Sequence, residues 1–165
     1  MPPVNDVCEN AIIIGVDDTD PTTNPPSGSN NNNDDVILWQ QTLSGSTVEA
    51  LHDGLNLCGE NLITSPGLWY QIIGPSDDET NYVAHVSTCT AATDFDTALT
   101  VYQVVVSGDG DNNNDSADSD ASCSSNLQCL DGRDDDAECD AGTVQHSTVA
   151  WQATAGTVYY VLVHG

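Results

Sequence analysis

The chain has 165 residues and carries 26 Asp and Glu against one basic side chain, Arg133, for a formal net charge of −25. A surface of that sign repels nucleic acid and anionic lipid, because both need Lys or Arg to neutralise phosphate. No apolar run reaches the roughly 18 residues that a membrane helix requires, so membrane insertion is excluded too. At 38% hydrophobic the chain can fill one core, and its length reads as a single domain, residues 1–165.

In chain order the predicted elements are strands. Met1-Pro2-Pro3-Val4-Asn5 has neither the basic start nor the apolar core of a signal peptide, so the chain is expected to be a mature or excerpted piece. Ala11–Val16 is a short apolar strand and Val36–Leu43 another. Val48–Leu57 has room for one helical turn, which Gly54 breaks. Leu68–Gly74 follows the Pro66-Gly67 turn. Thr80–Cys89 alternates, with Tyr82, Ala84 and Val86 on one face. Phe95–Val106 is the longest run and has room to bend midway. Ser147–Thr154 puts Val149, Trp151 and Ala153 together. After a turn at Ala155-Gly156, Thr157–His164 is apolar on both faces and reads as a central strand. Short strands of this kind, separated by turns and with almost no helical periodicity, predict an all-β, antiparallel two-sheet sandwich.

Two stretches cannot contribute to a core. Residues 17–35 and 107–122 are built from Asp, Asn, Ser, Thr, Pro and Gly and read as long acidic loop insertions. Asn114-Asp115-Ser116 in the second is a glycosylation sequon, and Thr22, Thr23, Ser27 and Ser29 in the first are candidate O-glycan sites; an unmodified spacer is the alternative in both.

Cys8, Cys58, Cys89, Cys123, Cys129 and Cys139 are even in number, and no Cys-x-x-Cys pair or finger spacing favours zinc. Three disulfides in an oxidising, extracellular compartment are the simplest reading. The fifteen possible pairings stay open; Cys129 with Cys139 would close a short loop, and Cys8 with Cys58 would tie the first strand to the core.

The acidic residues suggest cation sites. Asp109, Asp111, Asn113 and Asp115 offer an oxygen at every second position, as in a Ca²⁺ loop, but Asn114 stands where a Gly belongs and no final Glu follows. Asp131, Asp134, Asp135 and Asp136 form a second cluster between Cys129 and Cys139. Carboxylates crowded there need a Ca²⁺ ion or backbone N–H groups to answer them. A solvated acidic loop is the competing reading of the first set, and turn-forming Asx hydrogen bonds of the second. Asp96 is read as a structural acceptor at a strand corner. Trp39, Trp69, Trp151, Tyr70, Tyr159 and Tyr160 could stack on sugar rings, but each lies in a strand pattern, and core packing is the better reading. No nucleophile elbow, metalloprotease helix or phosphate-binding glycine loop occurs, and the chain is read as no enzyme.

Several motifs recur in a familiar order. These are Asn5-Asp6-x-Cys8-x-x-Ala11, Gly45-Ser46-Thr47-x-x-Ala50, Leu68-Trp69-Tyr70 and Val86-Ser87-Thr88-Cys89. Phe95-Asp96-Thr97-x-Leu99-x-Val101-Tyr102, Cys123, Leu127-x-Cys129 and Asp134-Asp135-x-x-x-Cys139 follow, closed by Gly156-Thr157-x-Tyr159-Tyr160-x-Leu162-Val163-x-Gly165. Together they resemble the cysteine-containing jelly-roll β-sandwich modules related to bacterial pre-peptidase C-terminal domains. The resemblance covers nearly the whole chain apart from the two acidic loops. It implies an extracellular, non-catalytic module, in some members calcium- or carbohydrate-binding. Two departures stand out: the loop after Val106 is longer and more acidic, and the chain stops at Val163-His164-Gly165, where such modules continue to one more strand. An edge left open there is expected to pair with another chain, with the Met1–Ile14 segment as the candidate donor strand. Self-association in a surface or filament assembly is thus one expected function, and a carbohydrate- or surface-ligand-binding accessory module the other.

Overall fold

The computed structural model describes residues 1–14, 41–52, 57–59, 61–62, 65–74, 82–105, 126–136, 139 and 145–165. Among them the chain is mostly strand, and the single helical element is a 3-10 turn at Cys8–Asn10. The strands are β1 (Ile12–Ile14), β2 (Leu57–Cys58), β3 (Asn61–Leu62), β4 (Gly67–Ile73), β5 (Tyr82–Ser87), β6 (Ala98–Val104), β7 (Leu127–Asp134), β8 (Thr148–Ala153) and β9 (Val158–His164).

A five-stranded sheet runs β1-β4-β9-β6-β7, and β5 and β8 form a second sheet. All pairings are antiparallel except β1 with β4, which is parallel. The doubly apolar run near the carboxy terminus becomes β9, which is central and hydrogen-bonded to β4 on one side and β6 on the other. Burial on both faces requires that pattern. One face of the large sheet packs Leu68, Tyr70, Leu99, Val101, Tyr159 and Val161 against Val149, Trp151 and Ala153 of β8, with Tyr82, Ala84 and Val86 of β5 alongside. The alternation expected for β5 and β8 is what lets that small sheet cover the large one, giving a β-sandwich-like pair of layers. The opposite face carries a second core of Trp69, Tyr102, Tyr160 and Leu162, with Cys8 and Cys58.

Some expectations need correction. The edge expected to be open at the last strand is closed, because β9 has partners on both sides; among the described residues the edges of the large sheet are β1 and β7. The Met1–Ile14 segment, offered above as a donor strand, lies on its own sheet: β1 pairs with β4, and the Trp69 N–H donates to the Asn5 carbonyl at 2.8 Å. Residues 48–52 hold a turn with Glu49 at φ 68° and no helix, and 41–43 are not strand; 36–40 lie outside the described residues. The bend foreseen in β6 is a bulge in its partner. Val101 opposes Asp131 and Tyr102 opposes Cys129, so Leu130 is the extra residue.

The disulfides join Cys58 to Cys129 and Cys89 to Cys139. Cys8 is disulfide-bonded as well, and no described cysteine is free. Neither Cys129–Cys139 nor Cys8–Cys58 forms. Cys58 is taken by Cys129, and the segment after Cys129 is an extended strand, not a small loop, whose five residues to Asp134 carry the chain about 16 Å toward Cys89.

Cys58 is followed by Gly59, the tight point between β2 and β3. Gly59 has φ +65°, and a Cβ there would lie 2.4 Å from the Gly132 amide nitrogen. Both the left-handed backbone and the approach to β7 demand glycine. Gly59→Ala is expected to lower stability by about 2 kcal/mol. Urea unfolding checks this, with Gly156→Ala as a left-handed control: Gly156 has φ +66° but open space around it, so its loss should be smaller.

Candidate functional site

The most organised polar region lies where β5, β6, β7 and β8 meet at one end of the two sheets. Its foundation is a cluster of hydroxyls. Thr88, just after β5, and Thr97, just before β6, bring their Oγ1 atoms to 2.6 Å. The Ser147 N–H donates to Thr88 Oγ1 at 3.0 Å, and the Ser147 hydroxyl donates to the Thr97 carbonyl. The Thr93 hydroxyl donates to the Thr88 carbonyl at 2.7 Å, and the Thr97 N–H to the Gln145 carbonyl at 3.0 Å. Thr97 and Ser147 are fully buried, so these bonds form away from competing water and fix the backbone on which Asp96 sits. The carboxy-terminal residue braces the same corner. A Cβ on Gly165 would fall 1.9 Å from the Asp96 carbonyl oxygen, so only glycine fits against it.

Asp96 then meets the end of β7. Ala98 pairs with Asp134, a register set by the Leu130 bulge, and Asp135 turns at φ 54°. Asp96, Asp134 and Asp135 each bring a carboxylate oxygen within 4.8 Å of the others, and all three are exposed. The charges repel. Partial burial, then the neighbouring Asp135 and Asp96 charges, raise the Asp134 pKa above the ordinary carboxylate value.

The second predicted cluster is therefore regrouped. Asp134 and Asp135 converge, but with Asp96, not with Asp131 and Asp136. Asp131 accepts from the Gly132 N–H at 2.9 Å and from Arg133 Nε at 3.1 Å, while the Asp136 N–H donates to the His146 carbonyl at 2.7 Å. The Arg133 pair is exposed and contributes little. The first predicted set, Asp109, Asp111, Asn113 and Asp115, and the Asn114 sequon lie outside the described residues. Joining Asp96 to the pair needs the β6–β7 register, which no local pattern reveals.

A second polar group was not foreseen. His164, at the end of β9, is buried, with Nδ1 3.3 Å from Ser65 Oγ and Nε2 3.1 Å from Thr100 Oγ1. Burial, and then the nearby His52 charge, lower its pKa to about 4. A ring that stays neutral between two hydroxyls holds the sheet together.

The aromatic side chains point inward. Trp69, Tyr70, Tyr102, Trp151, Tyr159 and Tyr160 are buried and Tyr82 is half-buried, while Trp39 lies outside the described residues. Trp69 meets Tyr102 and Tyr160 at ring-centroid distances of 5.7 and 6.4 Å, and Trp151 meets Tyr159 at 5.6 Å. No described helix is long and apolar enough to cross a membrane. Compared with protein-family models, with curated proteins and with solved structures, the chain matches none.

Proposed function

We propose that this chain is a non-catalytic extracellular module, structural or adhesive, and a subunit of a self-associating surface or filament assembly. In this reading it is a jelly-roll module related to the pre-peptidase C-terminal type, and calcium stabilises it. The observation that carries the reading is where the chemistry-bearing side chains are spent. The described tryptophans and tyrosines pack in or against the two cores, and the threonine, serine and His164 groups are tied into buried bonds within the fold. Disulfides suit the oxidising exterior. The alternative, a carbohydrate-binding module, has no exposed described aromatic on which a sugar ring could stack. Negative-stain microscopy should show polymers, and a glycan array should show no hits; discrete particles with strong glycan signals would reverse the assignment.

Calcium enters through Asp96, Asp134 and Asp135. Hard cations favour carboxylate oxygens, and one ion there would offset a repulsion that the chain's single arginine cannot. Chelation is expected to lower the melting temperature by roughly 3–6 °C. Asp134→Asn should abolish most of that shift and, in chelator, melt above the wild type. An unchanged melting temperature on chelation would count against a bound ion.

A further inference from the structure

We propose that Cys89–Cys139 is a redox-labile bond: a small dithiol opens it ahead of Cys58–Cys129, the Thr148 hydroxyl eases the departure of the sulfur, and one end of the small sheet loosens while the rest of the fold stands. The inference goes beyond the assembly reading and does not depend on it.

The two bonds meet different surroundings. Cys58 is 1% exposed, and its sulfur faces two backbone carbonyl oxygens, Val101 at 3.6 Å and Asp131 at 3.5 Å. Its partner Cys129 is half-buried and can be reached. Attack at Cys129, however, must expel a thiolate at Cys58, shut off from water and facing oxygens of like partial charge. A charge buried without donors is costly. Cys89 and Cys139 are both half-buried. Thr148 Oγ1 lies 3.1 Å from the Cys89 sulfur and 3.3 Å from the Cys139 sulfur. Its other partner, Ser87 Oγ, is farther at 3.4 Å. Whichever cysteine is expelled, that one hydroxyl can donate to its thiolate, and a hydrogen bond to the charged form favours it. Thiol exchange runs faster where the attacked sulfur is accessible and the leaving thiolate is stabilised.

The step balances with the dithiol as reductant. Its thiolate attacks one sulfur of the pair, the S–S bond breaks, and the other cysteine leaves as a thiolate and takes a proton. The second thiol of the reagent then displaces the first. Two electrons and two protons pass to Cys89 and Cys139, and the reagent departs as a cyclic disulfide. The bond joins a residue just beyond β5 to one beyond β7. Beside it the Thr88 N–H donates to the Ser147 carbonyl at 3.0 Å, the Asp136 N–H to the His146 carbonyl at 2.7 Å, and the Cys139 N–H to the Asp136 carbonyl at 2.9 Å. Opening the link leaves this corner on hydrogen bonds alone. The centre of the large sheet keeps β9 paired on both sides, and Cys58–Cys129 stays closed.

The test treats the native oxidised chain with dithiothreitol, without denaturant and in salt that screens the −25 charge. Iodoacetamide quenches at intervals, and peptide mass spectrometry reads which cysteines are labelled. Cys89 and Cys139 should be labelled roughly tenfold faster than Cys58 and Cys129. Thr148→Val, which keeps the branched shape without the hydroxyl, should slow that labelling by roughly threefold to tenfold, and Thr148→Ser should restore it. In the partly reduced chain, amide exchange should quicken at Thr88, Asp136 and Ser147 and stay slow in β9. Labelling of Cys58 and Cys129 first, or of all four together, would overturn the proposal. So would equal rates in Thr148→Val and Thr148→Ser, or exchange that quickens in β9 as much as at the corner.

Discussion

Removing the Cys58–Cys129 disulfide is expected to destabilise the chain by up to about 4 kcal/mol, the largest effect of any single bond described. The bond spans 71 residues and Cys89–Cys139 spans 50. In the chain-entropy view, cross-links over such distances remove much of the unfolded chain's freedom, and the cost of losing one grows only slowly with loop length. The position of the bond matters as much as its span. Cys58 belongs to the core on the Trp69 face, so the bond fastens the β2–β3 hairpin over a surface that would otherwise meet water. A net −25 chain also has little opposite charge to hold hairpin and sheet together once the link is cut. The double variant Cys58→Ala/Cys129→Ala, unfolded in urea under oxidising conditions, should show a loss of roughly 2–4 kcal/mol. A loss under about 1 kcal/mol would mean that packing alone seats the hairpin.

Acidification should weaken the fold by about 3 kcal/mol through His164. Its folded pKa is lowered from 6.5 to about 4, because the ring is buried and faces His52. Below pH 6.5 the unfolded chain therefore takes up the proton and the folded chain does not. Stability present above pH 6.5 is lost as pH falls toward 4, and the loss is complete below that. Asp134 works in the opposite sense. Its raised pKa means that repulsion present at neutral pH is relieved on acidification, but that gain lies near the carboxylate range and comes late in the window. Urea midpoints measured from pH 7.5 to 4.5 should fall steeply for the wild type and stay much flatter for His164→Asn, whatever that variant's stability at neutral pH. Parallel slopes would show that His164 is not the titrating group.

Strand identity was legible wherever burial imposes a period. Val149, Trp151 and Ala153 had to share a face, and a run apolar on both faces had to be central, because both sides of β9 are largely buried. What misled was polarity at an edge. Leu127–Asp134 contains Asp, Gly and Arg, the usual vocabulary of a loop, yet it is an edge strand, where charge is tolerated and useful. The polar residues between Cys129 and Cys139 hide that strand, so the two cysteines read as the ends of a short loop, and nothing local joins Asp134 and Asp135 to Asp96. The partner Asp96 lies far away in sequence and is delivered by the β6–β7 register. His164 was opaque for the same reason: Ser65 and Thr100 reach it only through tertiary contacts. Cysteine count predicted stapling but not its pattern, since pairing depends on where strands end.

Self-association is tested most directly by sedimentation velocity of the oxidised wild-type chain over a wide concentration range, in calcium and in chelator. The expected result is species larger than the monomer that grow with concentration and are more stable to heat in calcium. A single monomeric species at every concentration, in both buffers, would contradict the proposed function.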